Sequence, residues 1–358
     1  MSIVTGALNR FAGPIMKPMP FSALFLAAAP LLAQPSALFY LTRDAWSVKS
    51  FLHHAAQIHT VSPAWYETND QGTLSGKADP SVLEAARKAN VQVMPLVVNP
   101  GFDQQTFHRL ATNQAARRKL IESLAAECRL RRYAGFQLDF EGVAIADRDA
   151  LTRLAAEAAS ALHEAGFQLS VAVVPRSSDQ PGAGGFSQWA FANLQGAYDL
   201  AALSKSVAFI SWMTYDQHMR HTTPGPIAGY PWVVEQLDYL LRHVPKEKVS
   251  LGIPLYGRRW YSGTRAPGRD PAVRMATASY PEAIHLAASR KTPVLWDNLE
   301  RAPWFAFYRD EVREYVFFND GRAFGERYEL ARRRGLRGFS CWVLGVEDPE
   351  IWNRISKR

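Results

Sequence analysis

The sequence contains only two cysteines in 358 residues, Cys128 and Cys341. Neither has the short spacing to other ligands that a zinc site needs, and two cysteines are too few for a disulfide-rich scaffold. Cys128 follows the apolar face of a predicted helix, and Cys341 alternates with Trp342 on a predicted strand, so each fits a small buried side chain. We therefore predict two free thiols, no metal site and no cofactor.

The sequence also lacks a basic run and a glycine-rich phosphate loop. Its formal net charge is +8, but the clustered cations Arg129, Arg131 and Arg132 lie at the end of a predicted helix, where cations suit the helix dipole. The excess positive charge is interpreted as a solvated surface, so no nucleic-acid partner is expected. The missing phosphate loop argues against a dinucleotide-binding fold.

No long apolar run indicates a membrane-spanning helix. The apolar run at residues 21–33 covers only 13 residues, follows Lys17 and ends in a small residue before Gln34, which is the pattern of a secretory signal peptide. We predict a signal-peptide region over residues 1–33, with translation starting at Met16. A buried first helix is the alternative, although the prolines of the segment disfavour it. The protein is therefore expected to be exported: periplasmic, cell-wall associated or secreted.

Strand-like and helical segments alternate along nearly the whole chain. Asp79 and Pro80 cap and start one predicted helix, and Gly166 ends another. Such alternation predicts parallel strands with right-handed crossovers. Eight strands are predicted, at residues 37–42, 58–66, 91–98, 136–142, 167–175, 207–216, 248–257 and 338–344. Eight units predict an α/β fold, a closed (β/α)8 TIM barrel over residues 34–358, with a doubly wound sheet as the alternative.

One connection of the predicted barrel is oversized. About 64 residues, 257–320, lie between the seventh strand and the last long helix, far more than an ordinary loop contains. Within this segment, residues 303–310 and 313–320 have the pattern of a hairpin. We predict a small α+β insertion on the catalytic face that forms one wall of a groove. The 10 Trp and 13 Tyr residues suit a groove for sugar rings.

The predicted fourth strand carries two acids on the face that a barrel encloses. In the stretch FQLDFEG, residues 136–142, the apolar side chains pack against the helices, and Gln137, Asp139 and Glu141 point to the barrel axis. Two confined carboxylates repel each other and lose solvation, and both effects raise their affinity for a proton. A protonated Glu141 beside a charged Asp139 is a candidate general acid; a structural ion-pair role is the alternative.

Four motifs resemble those of glycoside hydrolase family 18, the chitinase family. YAGFQLDFEG is similar to the family's D-G-x-D-x-D-x-E signature, WMTYD to its M-x-Y-D motif, GIPLYGRRW to its G-x-P-x-Y-G-R motif, and GFSCWVLGVED to its eighth strand. They fall in the family's order on predicted strands 4, 6, 7 and 8, and the resemblance spans about residues 37–356. The segments LGVEDPEIW and PAWYETNDQGTLSG look most like the bacterial branch of spore-germination and cell-wall glycosidases.

The resemblance implies a retaining, substrate-assisted glycosidase for β-linked N-acetylglucosamine polymers, namely peptidoglycan, chitin or poly-N-acetylglucosamine. Most retaining glycosidases use a carboxylate nucleophile, whereas here the 2-acetamido oxygen of the substrate would attack the anomeric carbon. Glu141 would protonate the leaving oxygen and later activate water, Asp139 would orient the acetamido group, and Tyr215 would hydrogen-bond that group. Substrate-binding roles are implied for Gln137, Met213, Asp216, Tyr256, Arg258 and Trp342, with Trp342 as the floor under the reacting sugar.

Two positions depart from the family pattern, because Ala134 and Gln137 stand where the signature has its first two Asp residues. The second of those Asp residues normally shares a proton with the middle one. An amide cannot take up that proton but can hydrogen-bond Asp139, so we expect activity with a shifted pH profile. The alternative is a catalytically silent, lectin-like barrel. Structural roles are the alternatives for Tyr215, Asp216, Tyr256, Arg258 and Trp342, and a monomer is expected.

Overall fold

The strands and helices of the chain follow one another in the alternating order that the sequence predicts. A computed structural model describes Ser2, residues 34–262 and residues 273–355, and the fold concerns the unit Leu32–Arg358. The predicted signal-peptide region, including the start at Met16, lies outside the described residues apart from Ser2. None of the described helices has both the length and the apolar character needed to cross a membrane.

The described residues contain sixteen strands and ten α-helices. The strands are β1 (Ser36–Leu41), β2 (Thr60–Pro63), β3 (Tyr66–Thr68), β4 (Leu74–Gly76), β5 (Gln92–Val93), β6 (Leu96–Val98), β7 (Gly135–Asp139), β8 (Gln168–Val173), β9 (Phe209–Trp212), β10 (Val249–Pro254), β11 (Gly257–Ser262), β12 (Val273–Ala278), β13 (Leu295–Asp297), β14 (Ala302–Arg309), β15 (Val312–Phe317) and β16 (Gly338–Trp342). The helices are α1 (Ala45–His54), α2 (Pro80–Lys88), α3 (Gln104–Thr112), α4 (Gln114–Arg131), α5 (Arg148–Glu164), α6 (Gly185–Ala190), α7 (Leu200–Ser206), α8 (Tyr230–Leu240), α9 (Tyr280–Ser289) and α10 (Gly321–Arg333).

Parallel pairing closes the barrel. Its strands follow the order β1, β2 with β3, β5 with β6, β7, β8, β9, β10 and β16, and β16 returns to pair with β1. The second and third barrel strands are each split in two, because β2 pairs with β5 while β3 pairs with β6. The predicted (β/α)8 barrel is therefore confirmed, and β4 is an antiparallel addition to β3.

Proline explains why two predicted strands are interrupted. The sequence predicts unbroken strands over residues 58–66 and 91–98, but Pro63 ends β2 and Pro95 separates β5 from β6. Proline has no N–H to donate to the ladder. The Ser62 hydroxyl donates to the Met94 carbonyl at 2.7 Å, and the Pro95 carbonyl accepts from the Gln137 N–H at 2.9 Å. These bonds hold the strands together where the regular ladder stops.

The helical region predicted at residues 186–203 is also divided. It consists of α6, a π-helical turn over Phe191–Gln195, and α7. Asp199 caps α7 by accepting a hydrogen bond from the Ala202 N–H at 3.0 Å, so this helix has its own start signal.

Alternate residues of the barrel strands serve two apolar cores. Phe136 and Leu138 belong to the large core between strands and helices, and a smaller core fills the barrel interior. The smaller core contains Leu38, Tyr40, Met94, Leu96, Phe209 and Val343. Cys128 and Cys341 both lie in the outer core as free thiols, as predicted.

The long connection between β10 and α10 forms a second, antiparallel sheet. Its strand order is β12-β11-β15-β14-β13, and α9 packs on it through Ala283 and Ala287. The predicted hairpin is present as β14 and β15. A capping box of Ser279 and Glu282 starts α9, with proline in its first turn. The α+β insertion after the seventh barrel strand is thereby confirmed.

A fully buried arginine fastens the insertion to the barrel. Arg327 on α10 donates to the carbonyls of Arg301 at 2.6 Å and Glu300 at 3.1 Å, which precede β14. It also donates to the carbonyl of Ala228, just before α8, and to that of Ala323 at 3.0 Å. Burial lowers the pKa of Arg327 to about 10, so the side chain stays charged at neutral pH.

Replacing Arg327 by Met is expected to lower the free energy of unfolding by about 3–5 kcal/mol, because several buried carbonyls lose a charged donor. Urea denaturation of the variant and the wild type measures the difference. Arg333→Met, which removes an exposed guanidinium from the same helix, is the matched control and should cost less than about 1 kcal/mol. Equal stability of Arg327→Met and the wild type would contradict this role.

Candidate active site

One cavity at the carboxyl ends of the barrel strands brings most of the predicted site residues together. It has a volume of about 240 Å³. Its lining includes seven of the nine predicted residues, namely Asp139, Glu141, Met213, Tyr215, Asp216, Tyr256 and Trp342. Gln137 lies deeper in the barrel on β7, and Arg258 lines an adjoining cavity. This is the end of a (β/α)8 barrel at which active sites are found.

Neighbouring side chains fix the main chain around Glu141. β7 ends at Asp139, so Glu141 lies two residues beyond the strand rather than within it. The buried side chain of Asn99, just after β6, accepts from the Glu141 N–H at 3.1 Å and donates to the Glu141 carbonyl at 2.9 Å. The Tyr198 hydroxyl donates to the Phe140 carbonyl at 2.7 Å. Sequence reasoning missed Asn99, although an Asn directly after a strand that ends at the same face was a usable signal.

Gly142 completes this turn. Its φ is +65°, and a Cβ added there would lie 2.4 Å from the carbonyl oxygen of Phe102. Only glycine meets both requirements without moving the main chain. The position of Glu141 therefore depends on a glycine that follows it directly.

Gln137 does not hydrogen-bond Asp139, which corrects the expectation from the sequence. Its carbonyl oxygen accepts from the Tyr40 hydroxyl at 2.7 Å. Both amide hydrogens are used elsewhere, because Nε2 donates to Ser170 Oγ at 2.9 Å and to Ser211 Oγ at 3.0 Å. Ala134, at the other departure from the family signature, packs against the inner core. The side chains beneath Asp139 therefore form a neutral layer whose members are hydrogen-bonded to one another.

Both carboxylates of the site favour the protonated form. Asp139 is buried and its Oδ1 has no hydrogen-bond partner, so burial raises the pKa of Asp139. Burial likewise raises the pKa of Glu141, and the negative charges of Asp139 and Asp216 raise it further. A carboxyl group that keeps its proton near neutral pH, beside a second carboxylate, can act as a general acid.

Asp216 is held by two donors, one from the turn between β10 and β11 and one from β11 itself. It follows β9 with a positive φ of 62°, a conformation that Asp tolerates better than most residues. The Tyr256 hydroxyl and Arg258 Nη2 both donate to its Oδ1. Arg258 also contacts Met275 Sδ at 2.9 Å and lies 5.5 Å from the centre of the Tyr256 ring. Tyr256 and Arg258 therefore orient Asp216 at the cavity wall.

An aromatic group and a phenol complete the wall of the cavity. Trp342 ends β16, and its ring lies 5.4 Å from that of Tyr40, tilted by 54°. Burial and nearby charges raise the pKa of Tyr215 well above its usual value, so its hydroxyl remains a donor. Met213 is largely buried beside it. Tyr40, which links Trp342 to Gln137, is a further site residue that sequence reasoning missed.

The insertion forms part of a larger, adjoining cavity. This second cavity has a volume of about 530 Å³ and shares Asp216, Tyr256 and Trp342 with the first. Its insertion-derived lining residues are Arg258, Thr277, Ser279 and Glu282, and Trp46 of α1 lines it from the barrel. The insertion thus contributes a wall, as predicted.

Among the described residues, no group of three or more His, Cys, Asp and Glu side chains could hold a metal ion.

Comparisons with known proteins agree with this geometry. Residues 38–347 match the family model of glycosyl hydrolases family 18. The cortical fragment-lytic enzyme of Bacillus subtilis is 25% identical over 302 residues, which cover 81% of this chain and 65% of that protein. The spore cortex-lytic enzyme of Bacillus megaterium superposes with a TM-score of 0.79 at 23% identity, over 92% of this chain and 76% of that one. A chitinase of Chromobacterium violaceum superposes with a TM-score of 0.79 at 25% identity, over 90% of this chain and 98% of that one.

Asp139→Asn is expected to stabilise the protein at pH 8 and to leave its stability unchanged at pH 3.5. A carboxyl group whose pKa is raised in the folded state makes stability fall as pH rises above its unfolded pKa. The variant avoids that loss, so its advantage at pH 8 should be about 1–3 kcal/mol. Urea denaturation at the two pH values measures it, with the exposed Glu122→Gln as the control. A constant difference across pH would contradict the raised pKa.

Proposed function

Because the chain belongs to glycosyl hydrolase family 18 and is a glycosidase, we propose that it cleaves β-linked N-acetylglucosamine-containing glycans by substrate-assisted, retaining catalysis. The observation that carries this proposal is the pair of carboxyl groups at the cavity. Glu141 favours its proton, and the buried Oδ1 of Asp139 has no protein partner. A site with one acid and one unpartnered acceptor suits a substrate that brings its own nucleophile and its own N–H donor.

In the first step, Glu141 donates its proton to the glycosidic oxygen as the bond to the anomeric carbon breaks. The acetamido oxygen of the same sugar forms a bond to that carbon, and the departing sugar leaves as an alcohol. In the second step, ionised Glu141 takes a proton from water as the water oxygen bonds to the anomeric carbon, and the acetamido group is released. The two displacements retain the configuration at that carbon. The raised pKa of Glu141 suits both the loss and the recovery of the proton.

Asp139 is proposed to hold the acetamido N–H. Its unpartnered Oδ1 gains a donor when the substrate binds, and its negative charge stabilises the positive charge that develops on the oxazolinium-like intermediate. Ionisation of Asp139 is costly in the empty site because burial disfavours the charge. The substrate N–H and the developing cation reduce that cost, so the group contributes most in the transition state.

The other cavity residues are proposed to position the reacting sugar. The Tyr215 hydroxyl, which stays protonated, can donate to the acetamido oxygen as it approaches the anomeric carbon. Trp342 offers a ring face on which the apolar side of the sugar can stack. Asp216 is held by Tyr256 and Arg258 and can accept from a sugar hydroxyl, while Met213 limits the space beside it.

The polymer is proposed to be peptidoglycan, chitin or poly-N-acetylglucosamine, all of which supply the required acetamido group. Support comes from relatives described as a cortical fragment-lytic enzyme and a chitinase.

Gln137 is proposed to act on the substrate indirectly, because its amide is fully engaged by Tyr40, Ser170 and Ser211. With Gln137 at this position, no second carboxyl group is present to share a proton with Asp139. Asp139 is therefore proposed to obtain its hydrogen-bond donor from the substrate.

Glu141→Gln is expected to lower kcat by about 10²–10⁴-fold on a chromogenic N-acetylglucosamine oligomer, because the amide cannot donate a proton and take it back. Binding of the unlabelled oligomer, measured by titration, should change by less than about threefold. Glu122→Gln on α4 is the control. The wild type should not cleave the corresponding glucosamine oligomer, which lacks the acetamido oxygen.

Binding without turnover by both wild type and Glu141→Gln, on peptidoglycan fragments and chitin oligomers alike, would indicate a lectin-like barrel instead. Cleavage of the glucosamine oligomer would contradict the substrate-assisted step while leaving a glycosidase.

Export is proposed as well, because the polymers named above lie outside the cytoplasm and residues 16–33 have the pattern of a signal peptide. Cleavage after the small residue at position 33 would leave Gln34 as the first residue. N-terminal sequencing of the protein recovered from its native host checks this. A mature chain that begins well upstream of residue 30 would contradict it.

A further inference from the structure

Two large aromatic side chains lie exposed side by side on α6. Phe186 and Trp189 are one helical turn apart, with ring centres 5.9 Å from each other and ring planes 31° apart. They are 58% and 51% exposed. Neither ring contributes to the apolar cores of the barrel or the insertion. Adjacent exposed rings of this size form an apolar patch of the kind found at binding sites.

The pair is connected to the catalytic cavity through a short series of contacts. α6 follows β8, so it lies at the end of the barrel where the cavity opens. Asn193 Nδ2 donates to the Trp189 carbonyl at 2.8 Å, and Gln104 Nε2 donates to Asn193 Oδ1 at 3.1 Å. Gln104 lies two residues after Phe102, which lines the cavity together with Glu141. The aromatic pair is therefore fixed to the loop that forms one wall of the cavity.

Other exposed apolar residues lie between the pair and the cavity. Phe102 is 44% exposed and Ile145, four residues after Glu141, is 38% exposed. Ile145 Cδ1 lies beside Gly196, at the end of the segment that carries the pair. Phe102, Ile145, Phe186 and Trp189 come from the connections after three consecutive barrel strands, and we call these four residues the distal strip.

The chemistry around the aromatic pair suits a neutral, hydroxyl-rich ligand. Residues 177–195 include a single charged residue, Asp179, and are otherwise rich in Ser, Gln, Asn and Gly. Pyranose rings present an apolar face that stacks on aromatic side chains, and hydroxyl and amide groups match their edges. A charged partner would require countercharges that this segment does not carry.

The direction of the distal strip relative to the cavity indicates which part of a glycan it meets. The second, larger cavity adjoins the first at Asp216, Tyr256 and Trp342. Phe102 and Glu141 line the first cavity but not the second, and they lie in the connections that follow β6 and β7. This step rests on the function proposed above, in which the reacting sugar stacks on Trp342 and Glu141 protonates the leaving oxygen. The leaving-group side of the glycan therefore passes Glu141 as it leaves the cavity.

We propose that the distal strip binds further sugar residues of the glycan beyond the scissile bond, with Phe186 and Trp189 as stacking platforms. The enzyme then distinguishes long chains from short ones by contacts that a disaccharide with a small leaving group does not reach. Binding at the strip depends on stacking rather than charge, so it should be insensitive to salt.

The experiment compares the wild type with the double variant Phe186→Ala/Trp189→Ala. The substrates are a nitrophenyl disaccharide and a hexasaccharide of β-1,4-linked N-acetylglucosamine. The ratio of kcat/KM for the hexasaccharide to that for the disaccharide should fall about tenfold, because two ring contacts are lost only from the longer substrate. Tyr308→Ala, which removes an exposed aromatic residue from the insertion, should leave the ratio unchanged.

Binding separates this inference from the proposed function. The hexasaccharide is titrated into Glu141→Gln with and without the two Ala substitutions, at low and high salt. Loss of affinity in the triple variant at both salt concentrations supports the distal strip. An unchanged ratio, an equal loss on both substrates, or unchanged affinity overturns it. If the wild type cleaves neither substrate, the proposed function fails, and the titration of wild type against the double variant alone decides whether the strip binds glycan.

Discussion

The unpaired burial of Asp139 is the constraint on which the rest of the site depends. Its Oδ1 lies in the barrel without a hydrogen-bond partner, and the layer beneath it is neutral. The side chains of Tyr40, Gln137, Ser170 and Ser211 are hydrogen-bonded to one another, and all four are neutral, so this layer supplies no positive charge to Asp139. The cost of ionising Asp139 is therefore not relieved in the empty site. Burial raises the pKa of Glu141 as well, and any negative charge on Asp139 raises it further.

The same constraint shows how much of the site could be predicted from the sequence. The alternation in FQLDFEG predicts that Gln137 and Asp139 face the barrel interior, where both are buried, and most of the residues named from the four motifs line the cavity. The partners of Gln137 could not be predicted, because they come from three other strands whose register is set by the closed barrel. The broken second and third barrel strands follow from Pro63 and Pro95, a local signal that the apolar pattern outweighed. The distal strip could not be predicted from the sequence, because its residues come from three separate connections and show no periodic pattern. Whether a side chain is exposed depends on which other parts of the folded chain cover it.

The insertion shows how a distant packing contact reaches the site. Asp216 depends on Tyr256 and Arg258, and Arg258 lies on β11, the first strand of the insertion. The insertion sheet is in turn held to the barrel where Arg327 binds the carbonyls of Glu300 and Arg301. Arg327 on α10 thus helps to fix the position of the insertion, and the insertion supplies Arg258, which orients Asp216 at the cavity.

The two sides of the cavity are built for different tasks. On the insertion side, Asp216 is held by two donors, and such fixed geometry would suit the reacting sugar of the proposed mechanism. On the Glu141 side, the exposed apolar side chains of the distal strip lie on loops and helices after β6, β7 and β8 and offer surfaces for packing rather than directed hydrogen bonds. Stacking tolerates small shifts of a sugar ring, so this side can hold a departing chain without fixing it. Under the proposed function, this difference would let the enzyme fix the reacting sugar and still release the departing part of the chain.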